Sequence, residues 1–149
     1  MRKSIKLLLL AACGVVLASC NMINNSPSYQ LSDLQGLWQE NNSDDFVRFT
    51  TEQSDEAGYL LGYEWDASDQ DEATLLAERE ALGRPGNGWF KYMFESKGDL
   101  HEIHLMNNKG GEIPKEYIVS KLTDTELVYY EKNDKKDISY FTKVVEPKK

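Results

Sequence analysis

The sequence predicts an all-β domain: an eight-stranded, up-and-down antiparallel barrel with one short helix between strands 3 and 4. Three observations predict this fold. Apolar residues fall into eight short runs in which they alternate with polar ones, as in half-buried strands. Turn-forming residues separate most of these runs. The links are mostly short, whereas a Greek-key sandwich needs at least one long crossing connection, so the barrel is favoured.

We place each strand where the alternation is clearest. The predicted strands are 37–40, 46–51, 59–65, 89–95, 100–106, 117–122, 126–131 and 138–144. The segments between them contain Asn, Asp, Gly and Ser, which tolerate positive φ or hydrogen-bond to their own backbone. Eight strands also make a barrel that is just wide enough to hold one small ligand.

The longest break in the strand pattern, at 66–87, predicts the helix. Asp69 is suited to cap a helix N-terminus, and Glu72 follows three residues later, as in a capping box. Gly83 stands where a helix would end, and Pro85 prevents its continuation. We expect a helix of about three turns that packs on the outside of the barrel or covers one mouth.

The first 20 residues have the pattern of a lipoprotein signal. Arg2, Lys3 and Lys6 form a basic region before an apolar run that is shorter than the about 20 residues a spanning helix needs. Small residues directly before Cys20 resemble the bacterial lipobox. The alternative is an ordinary signal peptide that happens to contain a Cys.

The lipobox resemblance divides the chain into three parts. It implies a signal peptide over 1–19, a lipidated Cys20 with a flexible tether over 20–32, and the barrel domain over 33–146. Cleavage before Cys20 would leave diacylglycerol on its sulfur, usually with a third acyl chain, such as palmitate, on the new amine. At ~0.8 kcal/mol per buried methylene, two or three chains make a stable membrane anchor.

The same resemblance predicts a location and a redox state. In many Gram-negative bacteria, Asp after the lipidated Cys favours retention in the inner membrane, so Asn21 favours the outer membrane. No acidic run follows Cys20, which favours the periplasmic face. Because Cys13 would leave with the signal and Cys20 would carry lipid, we expect no disulfide in the folded domain.

The charge excludes two classes of partner. The formal net charge is −8, and it becomes −11 after cleavage because three basic and no acidic residues precede Cys20. Nucleic-acid binding calls for a basic surface, and so does peripheral binding to anionic lipid. We expect no nucleic-acid partner, and contact with the bilayer through the acyl chains alone.

Aromatic residues on the short strands are the candidates for contact with a ligand. Aromatic rings with a polar edge are typical of ligand-lined barrel interiors. The alternative is that the same rings simply fill the barrel, and periodicity cannot separate the two interpretations. The candidate lining residues are Tyr63, Trp65, Trp89, Phe90, Tyr92 and Tyr117.

Metal binding receives little support from the sequence. His101 and His104 are three residues apart, so on a strand they point to opposite faces and cannot chelate one ion. Oxygen ligands suited to Ca²⁺ occur at Asp66, Asp69, Asp71 and Glu72. The EF-hand pattern is absent there, and helix capping explains two of the four. We expect no metal site.

Catalysis and cofactor binding are not expected either. The chain has no G-x-S-x-G nucleophile elbow and no phosphate-binding glycine loop. After processing it would keep no Cys nucleophile. Carboxylates are numerous, but no pair is marked as converging in a cleft.

Three short motifs resemble those of small lipocalin-like lipoproteins of Gram-negative bacteria. They are Leu34-x-Gly36-x-Trp38, the Gly-Asn-Gly-Trp-Phe run at 86–90 and the Lys-Leu-Thr-Asp-Thr-Glu-Leu run at 121–127. The resemblance covers 34–144. It implies that Gly36 and Trp38 close the narrow end of the barrel, where the lipocalin Trp packs against an Arg near the last strand.

Two departures limit the resemblance. The last strand offers Lys143 and no Arg, and Lys is not equivalent to Arg at a stacked site. The predicted helix precedes strand 4, whereas the main helix of typical lipocalins follows strand 8. We therefore expect a lipocalin-like barrel and not a true lipocalin.

These observations favour one function and leave an alternative. The favoured one is a non-enzymatic, lipid-anchored envelope protein that binds a small apolar or amphipathic ligand inside its barrel. The alternative is a filled barrel that acts as a structural or protein-interaction module through its acidic outer surface.

Overall fold

The fold was established from a computed structural model, which describes residues 26–109 and 113–148. Eight antiparallel strands follow one another in sequence order, and β8 pairs with β1 to close the barrel. The predicted eight-stranded up-and-down barrel is confirmed. The signal peptide and Cys20 lie outside the described residues. The strands are β1 Gly36–Glu40, β2 Asp45–Gln53, β3 Leu60–Asp66, β4 Trp89–Lys97, β5 Leu100–Asn107, β6 Lys115–Leu122, β7 Glu126–Glu131 and β8 Asp134–Lys143.

A short helix that the sequence did not predict, α1 (Leu31–Leu34), precedes β1. Asp33 accepts a hydrogen bond from the backbone N–H of Gln30 at 2.8 Å, which caps this turn. Leu34 is fully buried against the barrel core. The residues just before α1 also contact the barrel, since the carbonyl of Pro27 lies 3.1 Å from His101 Nε2.

The predicted helix between β3 and β4 is confirmed as α2 (Glu72–Leu82), but its N-cap is Asp71 and not Asp69. The chain leaves β3 through a turn in which the Asp66 carbonyl accepts from the N–H groups of Asp69 and Gln70. That turn delays the helix by two residues, and the Asp71 carboxylate accepts from the N–H of Thr74 at 2.8 Å. The C-terminus is as predicted, with Gly83 in the left-handed conformation at φ 67°.

Helix α2 packs on the outside of the barrel, one of the two positions expected for it. Leu75 is its buried residue, and it joins a cluster with Leu61, Tyr63 and Trp89 on the outer face of β3 and β4. The Arg79 guanidinium lies 4.3 Å from the ring centre of Trp89. At the other end of the helix, Arg48 Nε donates to Glu72 at 2.7 Å. Among the residues that the structure describes, no helix is long and apolar enough to cross a membrane.

The main core lies inside the barrel, where one position must be glycine. A Cβ added to Gly62 would lie 2.4 Å from the Phe90 ring and 2.9 Å from the Arg48 carbonyl. The Phe90 side chain therefore crosses the strand at Gly62 and reaches Phe49, whose ring centre is 5.9 Å away. The buried core residues are Leu34, Trp38, Val47, Phe49, Phe90, Tyr92, Ile103, Val119, Leu122, Leu127 and Phe141.

Candidate functional site

The two ends of the barrel differ in packing. We call the end where β1 begins the closed end and the opposite end, where β1 finishes at Glu40, the open end. Helix α1 covers the closed end, with Leu34 fully buried among the core residues. In the half of the barrel nearer the closed end, the fully buried Tyr92 donates from its hydroxyl to the Thr50 carbonyl at 2.5 Å. A cavity of about 330 Å³ borders Leu31 and Tyr92 at the closed end. We take the open end as the candidate site because its cavities combine aromatic rings with carboxylates.

Gly36 and Trp38 lie at the closed end. Trp38 is fully buried, and its indole N–H donates to the Leu34 carbonyl at 2.8 Å. Lys143, its cross-strand partner, places Nζ 4.9 Å from the indole ring centre. A cation–π contact thus forms with Lys where lipocalins use Arg. Gly36 has φ 127°, and a Cβ there would lie 3.0 Å from Lys143 Cε, so glycine lets the lysine stem reach the ring.

Two adjoining cavities occupy the open end. The first, which we call the mouth cavity, has a volume of about 340 Å³, and the second, the side cavity, about 590 Å³. Glu64 borders both. The mouth cavity is bordered by Glu40, Asp45, Phe46, Val47, Glu64, Trp65, Asp66, Tyr129, Ser139 and Phe141. The side cavity is bordered by Glu64, Gly88, Trp89, Phe90, Leu105, Met106, Asn107, Ile113, Lys115 and Tyr117.

Three aromatic rings connect the two cavities. Tyr117 and Tyr129 meet edge to face with ring centres 5.1 Å apart. Tyr129 in turn stacks on Phe141 at 5.2 Å. Both contacts have the separations that aromatic pairs prefer. The rings form a continuous apolar surface, with one end in the side cavity and the other in the mouth cavity.

Carboxylates stand around these rings. Burial, with the nearby Asp45 and Asp137, raises the pKa of Glu40. Burial and the charge of Asp45 likewise raise the pKa of Glu64. Both pKa shifts arise first from partial desolvation of the carboxyl groups and second from repulsion between like charges. Among the described residues that border the mouth cavity, none is Lys or Arg.

The tyrosines respond to the same negative field. The pKa of Tyr129 is raised strongly, first by burial and then by surrounding groups that include Glu64 and Glu40. Burial and acidic neighbours also raise the pKa of Tyr117. Both hydroxyls therefore remain protonated at neutral pH and are available as hydrogen-bond donors.

The structure divides the six aromatic residues predicted to line a ligand. Phe90 and Tyr117 border the side cavity, and Trp89 does so from the outer side of the same wall. Trp65 stacks on Phe46, with ring centres 5.2 Å apart, beside the mouth cavity. The other two lie elsewhere. Tyr63 is beneath α2, where its hydroxyl donates to Glu72 at 2.8 Å. Tyr92 is in the half of the barrel nearer the closed end.

Four of the open-end residues on which the candidate site depends were not selected from the sequence. They are Glu40, Glu64, Tyr129 and Phe141. A signal for three of them was present, because Glu40 is two residues from Trp38, Glu64 two from Gly62 and Tyr129 two from Leu127. Residues two apart on a strand share a face. These three residues could therefore have been identified by continuing the inward-facing series of each strand by one more residue toward the open end.

The two histidines have separate partners, in agreement with the opposite faces expected from their spacing. The Pro27 carbonyl can only accept, so His101 Nε2 donates to it, while Nδ1 lies 2.8 Å from the Ser96 hydroxyl. His104 instead lies among Glu95, Glu102 and Glu116.

Three of the four carboxylates considered for Ca²⁺ have protein partners. Asp66 accepts from Ser68, Asp71 caps α2, and Glu72 accepts from Arg48. These hydrogen bonds fit structural roles in the turn and at the start of α2.

The fold and the site together define a small β-barrel with a packed closed end and an acidic, aromatic-lined open end. Searches against protein-family models, curated proteins and solved structures found no match for this chain. The open end is where aromatic rings and carboxylates border the same space, and this chemistry sets the class of molecule that fits.

Proposed function

We propose that this protein is a non-enzymatic, lipid-anchored binding protein of the bacterial envelope that holds a small amphipathic molecule at the open end of its barrel. One observation carries the proposal: the open end combines a continuous aromatic surface with a ring of carboxylates. The two cavities, about 340 and 590 Å³, lie in the size range of small-molecule sites. The anchor, the outer membrane and its periplasmic face follow from the lipobox resemblance.

The electrostatics favour a ligand with a positively charged group. An uncharged apolar molecule would desolvate Glu40 and Glu64 without compensation, which is costly. An ammonium group would instead pair with these carboxylates, while its apolar chain contacts Tyr117, Tyr129 and Phe141. This pattern of contacts fits an amine-headed amphiphile held in a half-open barrel.

Binding of three matched amphiphiles tests this function. Decylammonium, decanol and decanoate share one chain and differ in charge, and each is titrated below its micelle concentration into the domain 26–149 by calorimetry. Decylammonium is expected to bind most tightly. Glu64→Gln should weaken it about fivefold, since a partly solvent-screened charge pair contributes about 1 kcal/mol. Affinity should also fall as the pH is lowered through the raised pKa values of Glu40 and Glu64, because protonation removes their charge.

Glu78→Gln is the control, because Glu78 is exposed on α2 and borders neither cavity. It removes the same charge and should leave the affinity unchanged. Equal binding of decanol and decylammonium would reject the charged ligand and leave an apolar one. No binding of any of the three would favour the filled-barrel interaction module.

Membrane attachment is tested by Cys20→Ala. This variant should lack the acyl chains and move from the membrane fraction to the soluble fraction, because the acyl chains supply the anchor. Fractionation of cells followed by mass analysis of the N-terminus measures both changes. Cys13→Ala is the matched control and should stay membrane-bound, since Cys13 lies within the segment expected to be removed. Continued membrane association of Cys20→Ala would refute the lipobox interpretation.

A further inference from the structure

A second cluster of ionisable side chains lies on the wall formed by β4 and β5, separate from both cavities. We propose that Glu95, Glu102 and His104 form a binding site for a first-row divalent transition-metal ion of the Zn²⁺ type. Their ligand atoms all lie within 4.8 Å of one another. The site is independent of the ligand proposed for the open end.

Strand pairing brings the three side chains together. Glu95 and Glu102 are directly opposite each other in the β4–β5 register. His104 follows Glu102 by two residues, so it shares the same face of β5. Directly opposed side chains on neighbouring strands are close enough to contact each other. This set differs from the His101 and His104 pair considered in the sequence, since its members meet only across two strands.

Burial makes the cluster unusual. Glu102 is fully buried, and His104 is 7% exposed. The imidazole Nε2 of His104 lies 3.1 Å from Glu102 Oε2 and 3.2 Å from Glu95 Oε2. Despite these distances, Nε2 makes no hydrogen bond and is shielded from solvent. A buried polar nitrogen that makes no hydrogen bond is destabilising, and an ion on its lone pair would satisfy it.

Two of the three separations between the proposed ligand atoms match those between ligands of one ion. Zn²⁺ is bound by His nitrogen and carboxylate oxygen at about 2.0–2.2 Å, which places neighbouring ligand atoms about 3.0–3.5 Å apart for angles of 90–109°. The two separations at His104 Nε2 are 3.1 and 3.2 Å. A mixed nitrogen and oxygen set suits transition metals, whereas Ca²⁺ and Mg²⁺ prefer oxygen ligands alone.

Glu116 completes the arrangement from the other side of the ring. Its Oε1 lies 3.7 Å from His104 Nδ1. Metal-binding histidines usually direct their second nitrogen toward a carboxylate or carbonyl, which orients the ring. Three protein ligands leave a coordination position for solvent. The Glu95 side chain is partly exposed, so the cluster can be reached from solvent.

Two lysines compete with the ion. Lys97 Nζ lies 3.4 Å from both Glu95 Oε2 and Glu102 Oε2, so it contacts the two oxygens that would hold the metal. Lys132 Nζ lies 3.1 Å from the other Glu102 oxygen, Oε1. Because the Lys97 side chain is half exposed on a flexible stem, its ammonium can turn into solvent when an ion enters. Lys132 can stay in place, since its partner oxygen is not one of the proposed ligand atoms.

Calorimetric titration of the full-length protein in detergent with ZnCl₂, and with CoCl₂ followed by its visible absorption, tests the site. The protein should bind one ion per chain. His104→Gln should weaken binding at least about tenfold and remove the Co²⁺ absorption, since a ligand contributes no less than the outer partners that orient it. His101→Gln removes a histidine of the same strand that has other partners, and it should bind as the unchanged protein does.

Lys97→Met provides a second variant that keeps the buried residues intact. It removes the competing ammonium and should tighten binding about threefold or more. Unchanged affinity in Lys97→Met, or equal affinity of His104→Gln and the unchanged protein, would overturn the proposal. Any metal bound outside this cluster is common to all of these chains, so it cancels in the comparison.

Discussion

Replacing Trp38 with alanine is expected to lower the free energy of unfolding by about 3–5 kcal/mol. The indole is fully buried at the closed end, donates to the Leu34 carbonyl and lies under the Lys143 ammonium. Its removal leaves a cavity that cannot collapse easily, because β1 is hydrogen-bonded to both β2 and β8. Urea denaturation followed by far-UV circular dichroism measures the change without depending on tryptophan fluorescence.

Tyr140→Ala is the control for Trp38, because Tyr140 is an aromatic residue on β8 whose surface is half exposed. Its change should stay within about 1 kcal/mol, as is usual for surface substitutions. A loss below about 1 kcal/mol in Trp38→Ala would contradict the assigned role and show that closure of the barrel does not depend on this ring.

Leu75→Ala is expected to destabilise the protein by about 2–5 kcal/mol. Leu75 is 2% exposed and is the residue by which α2 enters the cluster with Leu61, Tyr63 and Trp89. Its loss should weaken the docking of the helix more than the barrel itself. Hydrogen exchange measured by mass spectrometry should therefore show faster exchange in α2 than in the strands, alongside the lower midpoint in urea.

Leu76→Ala makes the same chemical change one residue later, at a side chain that is 41% exposed. Both variants remove the same atoms from the same helix, so intrinsic helix propensity cancels between them. Leu76→Ala should cost less than about 1 kcal/mol. Equal losses in the two variants would mean that burial of Leu75 does not hold α2 on the barrel.

The secondary structure could be predicted well because its determinants are local. Alternation of apolar and polar residues located all eight strands, and turn residues located the links. The largest difference is the start of β8, which begins at Asp134 and not at 138. Its polar residues 134–137 resemble a turn in sequence. In the structure Asp134 pairs with Glu131 and Ile138 with Tyr130, with an irregularity in register between them. Residues 134–137 are exposed, so this part of the strand needs no apolar face.

The faces of the strands could not be assigned in the same way. Alternation separates Tyr63 and Trp65 from Gly62 and Glu64 on β3, but it does not say which pair points inward. Aromatic residues are commonly placed inside, yet α2 covers the outer face of β3 and buries Tyr63 there. A helix packed outside the barrel gives both faces of β3 and β4 an apolar neighbour, which hides the usual difference between them.

The sequence by itself determined the class of fold, the order of the elements and the acidic character of the domain, because these depend on composition and on neighbours along the chain. Only the tertiary structure decided which aromatic rings meet at the open end, that Lys143 reaches Trp38, and that Glu95 comes beside Glu102 and His104. Each of these depends on the register between strands and on closure of the barrel. Those pairings join residues that lie on different strands, so no local pattern records them.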